Sequence, residues 1–316
     1  MMYPLYVEHF EELDALTQEL HLAIGMFDGV HLGHQAVIGS AVLSAQRAGG
    51  VSGVLTFDPH PSRLFTPEKP TRLILPIKSK QKLLTSLGVD IVICKRFDHA
   101  FSSISAEDFL SELKTALPTL KSIYVGENFR FGKMRAGSVA TLIQSGNQLG
   151  INIFSKEQIK HKGAPISSTR IRRELEAGKI ENVNDLLGYN YCSSGTVIHG
   201  EKLGHKIGFP TLNMPWSPEC HPRYGVYYVQ FRTSAEERFN PGIANYGIRP
   251  TVNQTSRDPL LEIHALLDTN ADYGDSIEVE WLRFIRPEQK FDSIELLKEQ
   301  ITKDYELART LLSQNG

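Results

Sequence analysis

Cysteine is scarce in this sequence: there are three among 316 residues, Cys94, Cys192 and Cys220, and they lie far apart along the chain. An odd and scattered set argues against a disulfide framework and a cysteine-based zinc site, and favours reduced thiols in the cytoplasm. No apolar run approaches the ~18–20 residues that a membrane-spanning helix needs. The first residues lack a basic stretch followed by an apolar core, so we expect no secretory signal.

Neither positive nor negative charge is in clear excess in this sequence. The chain has 34 lysines and arginines against 36 aspartates and glutamates, which leaves a formal net charge of −2. This balance gives no bulk attraction to nucleic acid or anionic membranes, although it is compatible with a local basic pocket. Internal repeats and low-complexity tracts are also missing from the sequence. We therefore expect small-molecule partners, no nucleic acid and no membrane, and a monomer or weak oligomer.

What the sequence does contain is a change of pattern near its middle. In the first part, strand-like and helix-like segments alternate, which is typical of βαβ units and of a parallel sheet covered on both faces. This alternation predicts a Rossmann-like α/β domain over residues 1–186. The strand-like runs are at 21–27, 53–57, 89–97, 122–126 and 151–155, and the helical patterns are at 35–47, 77–87, 105–117 and 137–149.

The second part is mostly strand-like, with loops rich in glycine, proline and asparagine. It predicts an antiparallel β-barrel domain over residues 187–316, closed by an amphipathic helix at 293–312. The segment 178–188 is the expected junction, so the fold class is mixed α/β. The strand-like runs are at 191–199, 225–232, 261–268 and 275–286, and the predicted loops are at 200–215 and 240–254.

The segment "GMFDGVHLGH" (25–34) stands where a strand becomes a helix. Glycines let a backbone approach a ligand closely, and the first turn of a helix offers free N–H groups to an anion. His31 and His34 share that turn and suit phosphate oxygens that gain charge during a displacement at phosphorus. Two alternatives stay open: a metal-binding pair, for which no third ligand is evident nearby, and histidines that belong to an ordinary loop.

The residues "HLGH" resemble the HxGH signature of nucleotidyltransferases, and "GMFDGVHLGHQ" resembles the first motif of the FAD synthetase module in bacterial bifunctional riboflavin kinase/FAD synthetases. The stretches "TFDPHP" (56–61), "GENFRFG" (126–132) and "ISSTRIRREL" (166–175) follow in that module's order. The resemblance implies in-line attack by the phosphate of FMN on the α-phosphorus of ATP, with Mg²⁺ on the phosphates. It implies adenylyl transfer by His31 and His34, and nucleotide or substrate binding by Gly25, Phe27, Asp28, Gly29, Gly33, His60, Asn128, Ser168, Thr169 and Arg172.

Each of these stretches also has an ordinary structural interpretation. "TFDPHP" is a turn stiffened by proline. For Phe129 and Phe131 we favour packing in the core. Ser168 is a good N-cap by itself, and arginine at 172 could be a solvated residue of a capped helix.

A second glycine-rich segment, "GEKLGHKIGFPTLNM" (200–214), opens the barrel domain. Thr211 and Asn213, two residues apart in an extended segment, would project to the same side and offer oxygen ligands to Mg²⁺. Spacing alone favours a turn with local backbone bonds. The segment resembles the "GFPTAN" motif of the riboflavin kinase module, with leucine at 212 and histidine at 205 as departures.

The stretches "RYGVYYV" (223–229), "ANYGIRPTV" (244–252) and "LEIHALLDTNADYGDSIEV" (261–279) follow in that module's order. The resemblance implies Glu262 as the general base that deprotonates the ribityl 5′-hydroxyl of riboflavin; without it, Glu262 is a solvated strand residue. It also implies Thr211 and Asn213 as magnesium ligands, and Gly200, Lys202, Gly204, Gly208 and Arg249 as nucleotide- or substrate-binding residues.

Together the motifs imply an enzyme that converts riboflavin to FMN and FMN to FAD, with ATP and Mg²⁺. Two other functions are compatible with parts of the pattern. One is a nucleotidyltransferase with another phosphorylated acceptor, which the kinase-like second half disfavours. The other is a flavin- or nucleotide-binding regulator, for which we would expect His31, His34, Thr211, Asn213 or Glu262 to be missing, although all five are present.

Overall fold

The computed structural model describes residues 5–200, 208–248 and 259–315. Contacts between Cα atoms divide the chain into two compact units, Met1–Ser168 and Thr169–Gly316. Our predicted boundary between 186 and 187 lies later in the chain and stays a prediction. In the described ranges, no helix combines the length and apolarity needed to cross a membrane.

A six-stranded sheet forms the centre of the first unit, as the alternating pattern predicts. Its strand order is β1-β4-β3-β2-β5-β6, and every neighbouring pair is parallel. The order reverses at β2, which lies between β3 and β5, so a ligand crevice is expected beyond the carboxyl end of β2. The strands are β1 Leu5–Val7, β2 Leu20–Ile24, β3 Val51–Asp58, β4 Ile91–Arg96, β5 Leu120–Gly126 and β6 Asn152–Lys156.

Both faces of this sheet are buried. Along β2, Leu22 and Ile24 belong to one apolar cluster and Ala23 belongs to another, because successive side chains in a strand point to opposite faces. Helix packing over both faces explains the nearly continuous apolar runs of the strands. The helices are α1 Leu32–Ala48, α2 Ser62–Phe65, α3 Ile77–Ser86, α4 His99–Ser102, α5 Phe109–Ala116 and α6 Val139–Leu149, and a hairpin of β7 Lys160–His161 and β8 Ala164–Pro165 follows.

The second unit is a nearly closed antiparallel barrel, which confirms the predicted fold class. Its strand order is β10-β13-β12-β11-β14-β9, and a bridge between Ile198 and Asn213 joins the two ends. One sheet face carries fully buried aromatic rings, with Tyr227 and Tyr246 packed against Trp281. The strands are β9 Cys192–Thr196, β10 Leu212–Pro215, β11 Gly225–Thr233, β12 Asn240–Ile248, β13 Pro259–Ala265 and β14 Ser276–Pro287.

Two strands lie in segments that the sequence predicts as loops. β10 falls within 200–215, and β12 falls within 240–254, where asparagine, proline and glycine disfavour a strand locally. β12 forms because it pairs with β11 on one side and β13 on the other, which satisfies its backbone groups. The prediction was wrong here because local composition does not reveal strand pairing: β10 pairs with β13, which is remote in sequence, and β12 pairs with the strands on either side of it along the chain, β11 and β13.

Three helices accompany the barrel: α7 Ser168–Glu176, α8 Ile180–Leu187 and α9 Ile294–Asn315. α8 occupies the segment that we expected to be a junction, and it buries Ile180 and Val183. The Asn184 amide donates to the carbonyl of Trp281 at 2.8 Å and accepts from the N–H of Tyr191 at 2.8 Å. These bonds fasten α8 to β14 and to the segment before β9.

Candidate active sites in the two units

The loop from β2 to α1 has an unusual backbone. Phe27 and Val30 adopt φ values of 48° and 38°, and Gly29 lies at 80°. A non-glycine residue in this left-handed region costs on the order of 1 kcal/mol or more, and such residues concentrate at functional sites. Hydrogen bonds to other elements hold the loop in place. One of them runs from the N–H of Gly25 to the carbonyl of Leu55 at 3.1 Å.

Further contacts fix the middle of this loop. The buried carboxylate of Asp28 accepts the N–H of Ile74 at 3.0 Å, and Gln35 donates its side-chain amide to the carbonyl of Val30 at 2.9 Å. The hydroxyl of Ser168 donates to the carbonyl of Asp28 at 2.8 Å. Ser168 is itself the first residue of α7, so the structure brings this predicted site residue to the loop.

The two histidines of the loop form a stacked pair. His31 is the N-cap of α1, and its Nδ1 accepts the backbone N–H of His34 at 3.3 Å. The ring centroids are 3.6 Å apart with an interplanar angle of 15°, and the ring of Phe27 meets His34 edge-on at 5.3 Å. A side chain at Gly33 would crowd the His31 ring at 3.1 Å, so glycine permits this stacking.

Burial keeps both imidazoles neutral. It lowers the pKa of His31 to about 4. The pKa of His34 lies well below its ordinary value, chiefly because the ring is buried and also because His31 and Lys80 are close. Within the part of the chain that the structure describes, the buried Nδ1 of His34 has no hydrogen-bond partner. The pair can therefore donate N–H groups to an anion that arrives at the helix N-terminus.

Lys80 is a buried residue of this site that the sequence interpretation missed. Its Nζ donates to the carbonyl of Met26 at 3.2 Å and to the hydroxyl of Thr56 at 2.9 Å. Burial lowers the pKa of the Lys80 ammonium, while Cys94, Asp28 and Asp58 oppose that shift. A signal exists in the sequence, because Lys80 lies four residues before Leu84 and so shares the buried face of α3.

The other residues that the sequence predicts for this site lie at several separate positions in the structure. His60 lines a small cavity together with Asp28 and Lys80, and its Nδ1 lies 2.8 Å from the Ser62 hydroxyl. Asn128 is exposed just after β5, which neighbours β2 in the sheet. Phe131 is in the core and Phe129 packs against it, as expected. Thr169 and Arg172 lie in the second unit, and their part in this site stays a prediction.

In the second unit, strand register aligns a row of side chains on one face. Asn213 of β10 stands opposite Glu262 of β13, which stands opposite Asn245 of β12. The row continues through Val226 of β11 to Arg286 of β14. Directly opposed residues share a face, so Asn213 and Glu262 are neighbours. The sequence places them 49 positions apart, and only the register between β10 and β13 reveals their proximity.

Two cavities lie in this part of the second unit, and the first of them is lined by residues of this row. One, of about 600 Å³, is lined by Glu262, Asn245 and residues of α9 including Asp304. The other, of about 730 Å³, is lined by Gly208, Asp268 and Tyr273 among others. Both are of the size that holds a cofactor-sized molecule. Thr211 lines both, as do Phe209 and His264, so Thr211 stands where two bound molecules would meet.

The oxygen donors here fit a magnesium ion better than a transition metal. No group of three histidine, cysteine, aspartate or glutamate side chains able to hold a metal occurs in the described ranges. Thr211 and Asn213 offer hydroxyl and amide oxygens, and a side chain at Gly200 would overlap the Asn213 amide. Mg²⁺ takes few protein oxygens and keeps waters and substrate phosphates.

Glu288 is a second carboxylate beside Glu262 that the sequence interpretation missed. Burial raises the pKa of Glu288, the negative charge of Glu262 raises it further, and Arg286 opposes the shift. A side chain at Gly247 would overlap the Glu288 carboxylate, so glycine makes room for it. The predicted residues Lys202, Gly204 and Arg249 lie outside the described residues.

Comparison with known proteins finds matches to both parts of the chain. The family model for FAD synthetase matches residues 14–170, and the model for riboflavin kinase matches residues 187–312. The bifunctional riboflavin kinase/FMN adenylyltransferase of Escherichia coli strain K12 is 38% identical over 289 residues, covering 91% of each chain. Its counterpart in Listeria monocytogenes is 36% identical over 319 residues, covering 99% of each.

A solved structure is also similar over almost the full length. It is described as a macrolide-efflux protein from Streptococcus pneumoniae, and its TM-score against this chain is 0.86 at 26% sequence identity. The match covers 98% of this chain and 99% of the other.

Proposed function

Because this chain belongs to the family of bifunctional riboflavin kinase/FMN adenylyltransferases, we propose that its two units each carry one of the two reactions. The chain phosphorylates riboflavin with ATP to give FMN, and it transfers the adenylyl group of a second ATP to FMN to give FAD and pyrophosphate. Adenylyl transfer belongs to the site around His31 and His34, and phosphorylation belongs to the site around Thr211, Asn213 and Glu262.

The observation that carries the first assignment is the neutral, stacked histidine pair at the start of α1. An oxygen of the FMN phosphate attacks the α-phosphorus of ATP, and the bond from that phosphorus to the bridging oxygen of pyrophosphate breaks. Negative charge grows on the α-phosphate and the leaving group, where imidazole N–H donors and the helix N-terminus stabilise it. No protein nucleophile takes part, so alignment and charge stabilisation supply the catalysis.

The observation that carries the second assignment is that Glu262 stands opposite Asn213 and lines one cavity, while Thr211 lines that cavity and a second one. We assign riboflavin to the cavity beside α9 and ATP to the cavity beside Gly208. Glu262 takes the proton of the ribityl 5′-hydroxyl while its oxygen attacks the γ-phosphorus, and ADP leaves. Thr211 lines both cavities and lies where the hydroxyl and the γ-phosphate would meet.

Magnesium would be held in the second unit by Thr211 and Asn213. The ion, when bound, would neutralise charge on the phosphates of ATP. The lack of a side chain at Gly200 leaves room for the Asn213 amide, and Lys202, Gly204 and Gly208 would surround the phosphates. The family likeness supports these assignments.

The remaining expectations about the whole protein stay proposals. We assign residues 1–186 to adenylyl transfer and 187–316 to phosphorylation, supported by a riboflavin kinase match that begins at residue 187. We place the chain in the cytoplasm, as a monomer or weak oligomer that binds neither nucleic acid nor membranes.

Flavin chromatography of single-site variants tests the division of the two reactions. Wild type with riboflavin, ATP and Mg²⁺ should make FMN and then FAD. His31→Ala or His34→Ala should lower FAD formation by about 100-fold and leave FMN formation unchanged, since each removes one donor to the developing charge. Glu262→Ala should stop phosphorylation, while FAD is still made from supplied FMN. Equal loss of both activities in any of these variants would contradict the assignment.

A further inference from the structure

A closed triangle of hydrogen bonds joins three elements of the first unit at Lys80. Its ammonium, on α3, donates to the hydroxyl of Thr56 at 2.9 Å and to the carbonyl of Met26 at 3.2 Å. The Thr56 hydroxyl, near the end of β3, donates to the same carbonyl at 3.0 Å. Each of the three residues thus contacts both of the others.

Burying a lysine carries a desolvation penalty, which makes it a poor means of stabilising a fold. Lys80 is 6% exposed and Thr56 is completely buried. Removing an ammonium from water carries a large penalty, and an apolar side chain of similar volume is often as stable or more stable at such a position. Its two hydrogen bonds go to neutral oxygens, while Cys94, Asp28 and Asp58 favour its charged form electrostatically.

The carbonyl that accepts a hydrogen bond from Lys80 lies just before the left-handed turn of the loop. Met26 directly precedes Phe27, whose φ of 48° begins the left-handed turn that ends at Val30. His31, the N-cap of α1, follows at once. Any shift of the Met26 carbonyl therefore moves the start of α1 and with it the stacked imidazoles.

The positive charge of Lys80 also acts on the imidazole of His34. It contributes to the lowered pKa of His34, in the same direction as burial and the neighbouring His31. The Phe27 ring also meets His34 edge-on, and Cys94, Asp28 and Asp58 lie within electrostatic reach of Lys80.

We propose that Lys80 is a positioning residue for adenylyl transfer: its ammonium fixes the Met26 carbonyl and thereby sets where His31 and His34 meet the reacting phosphates. This inference rests on the proposed function of the first unit. Lys80 does not need to touch substrate for this role.

The test compares Lys80→Met with Lys82→Met, a matched change of an exposed lysine on the same helix. Lys80→Met should lower kcat for the conversion of FMN to FAD by at least about tenfold, with KM for FMN changed by less than about threefold, because misplaced donors act mainly in the transition state. Phosphorylation of riboflavin by the same molecules should not change. Lys82→Met should match wild type in both reactions.

The pH dependence of the rate distinguishes a positioning role of Lys80 from an effect on stability alone. Removing the positive charge raises the pKa of His34, so the acidic limb of the pH–rate profile should move to higher pH in Lys80→Met but not in Lys82→Met. A folded Lys80→Met with the kcat and pH profile of wild type would overturn the inference and leave the proposed function intact. Absence of FAD synthesis in wild type would overturn both.

A second pair of variants covers the case in which Lys80→Met does not fold. Thr56→Val keeps the volume and removes the hydroxyl that accepts from Lys80, so kcat for FAD synthesis should fall in the same way. Thr56→Ser keeps the hydroxyl and should recover most of that loss. Equal kcat in Thr56→Val and Thr56→Ser, with riboflavin phosphorylation as an internal measure of folded enzyme, would overturn the inference.

Discussion

At the scale of single residues, the most informative feature is that the paired histidines are neutral before any anion binds. Two stacked imidazoles that were both charged would repel each other in a buried place. Burial and the nearby ammonium of Lys80 prevent this by lowering the pKa of His34. The approach of phosphates acts in the opposite direction, because negative charge favours protonation of an imidazole. The pair therefore responds to charge that develops during transfer.

The lowered pKa of His31 predicts that the first unit loses stability in acid. The folded pKa is about 4 and the reference value is 6.5, so between these values the unfolded chain binds more protons. The free energy of unfolding should therefore fall as the pH falls through this window, by roughly 2 kcal/mol between pH 7 and pH 5 from His31 alone. Hydrogen exchange of the α1 amides measures it. His31→Gln should show a smaller fall, and an equal fall in both proteins would contradict the assignment.

At the scale of elements, one ion pair fastens the C-terminal helix to the barrel. Arg286 of β14 donates through Nε and Nη2 to the carboxylate of Asp304 on α9, with Nη2 at 2.8 Å. Gln300 also donates to Asp304, at 2.9 Å. Both charged side chains are largely buried, at 15% and 6% exposure. They line the cavity beside Glu262, so the helix and the candidate riboflavin site share this anchor.

We expect Asp304→Asn to destabilise the second unit by about 3 kcal/mol, because it leaves the buried guanidinium without its counter-charge. Urea unfolding followed by tryptophan fluorescence measures this, since both tryptophans, Trp216 and Trp281, lie in that unit. KM for riboflavin should rise as well. The control is Glu278→Gln in the exposed pair with Arg232, where we expect at most about 1 kcal/mol. Similar effects of the two changes would contradict this account.

Some secondary-structure elements could be predicted from the local sequence pattern and others could not. The parallel sheet followed from the sequence because strand-like and helix-like segments alternate, which is typical of βαβ units, and α9 followed from its amphipathic spacing. β12 did not, because its composition is typical of a loop, and that composition gives no sign of its pairing with β11 and β13. The residues of α8 do follow helical spacing, and their place against β14 depends on contacts of Asn184 that no local pattern contains.

At the scale of the whole molecule, the central residues of the two candidate sites lie in different units. The histidine pair, Asp28 and Lys80 lie in the first unit, and Thr211, Asn213 and Glu262 lie in the second. FMN is the product of one of the two reactions and the substrate of the other. We therefore expect FMN to leave the second unit and to bind the first from solution.

Mixing two half-active variants tests this expectation. His34→Ala should stop at FMN when supplied with riboflavin, and Glu262→Gln should make nothing from riboflavin. An equimolar mixture with ATP and Mg²⁺ should make FAD after a lag, because free FMN can pass between molecules. Chromatography of the flavins follows the reaction. FMN that accumulates without FAD, although Glu262→Gln still converts added FMN, would show that transfer needs both sites in one chain.

Local patterns in the sequence were enough to predict the fold class of each part of the chain and to indicate a chemistry for its motifs. Glycines at a strand-to-helix turn, histidines on the first helical turn, and a Thr-x-Asn pair are local patterns, and their physical meaning needs only neighbours within a few residues. The family likeness of both halves rests on the same short stretches.

The residues that contact those motifs from distant parts of the chain become visible in the folded structure alone. Register across β10 and β13 sets Glu262 beside Asn213, and packing of α3 brings Lys80 to the Met26 carbonyl. Backbone pairing makes a strand of 240–248 despite its composition. The physical reason is common to all three: hydrogen bonding and burial act through space, and chain folding brings together groups that no sequence window contains.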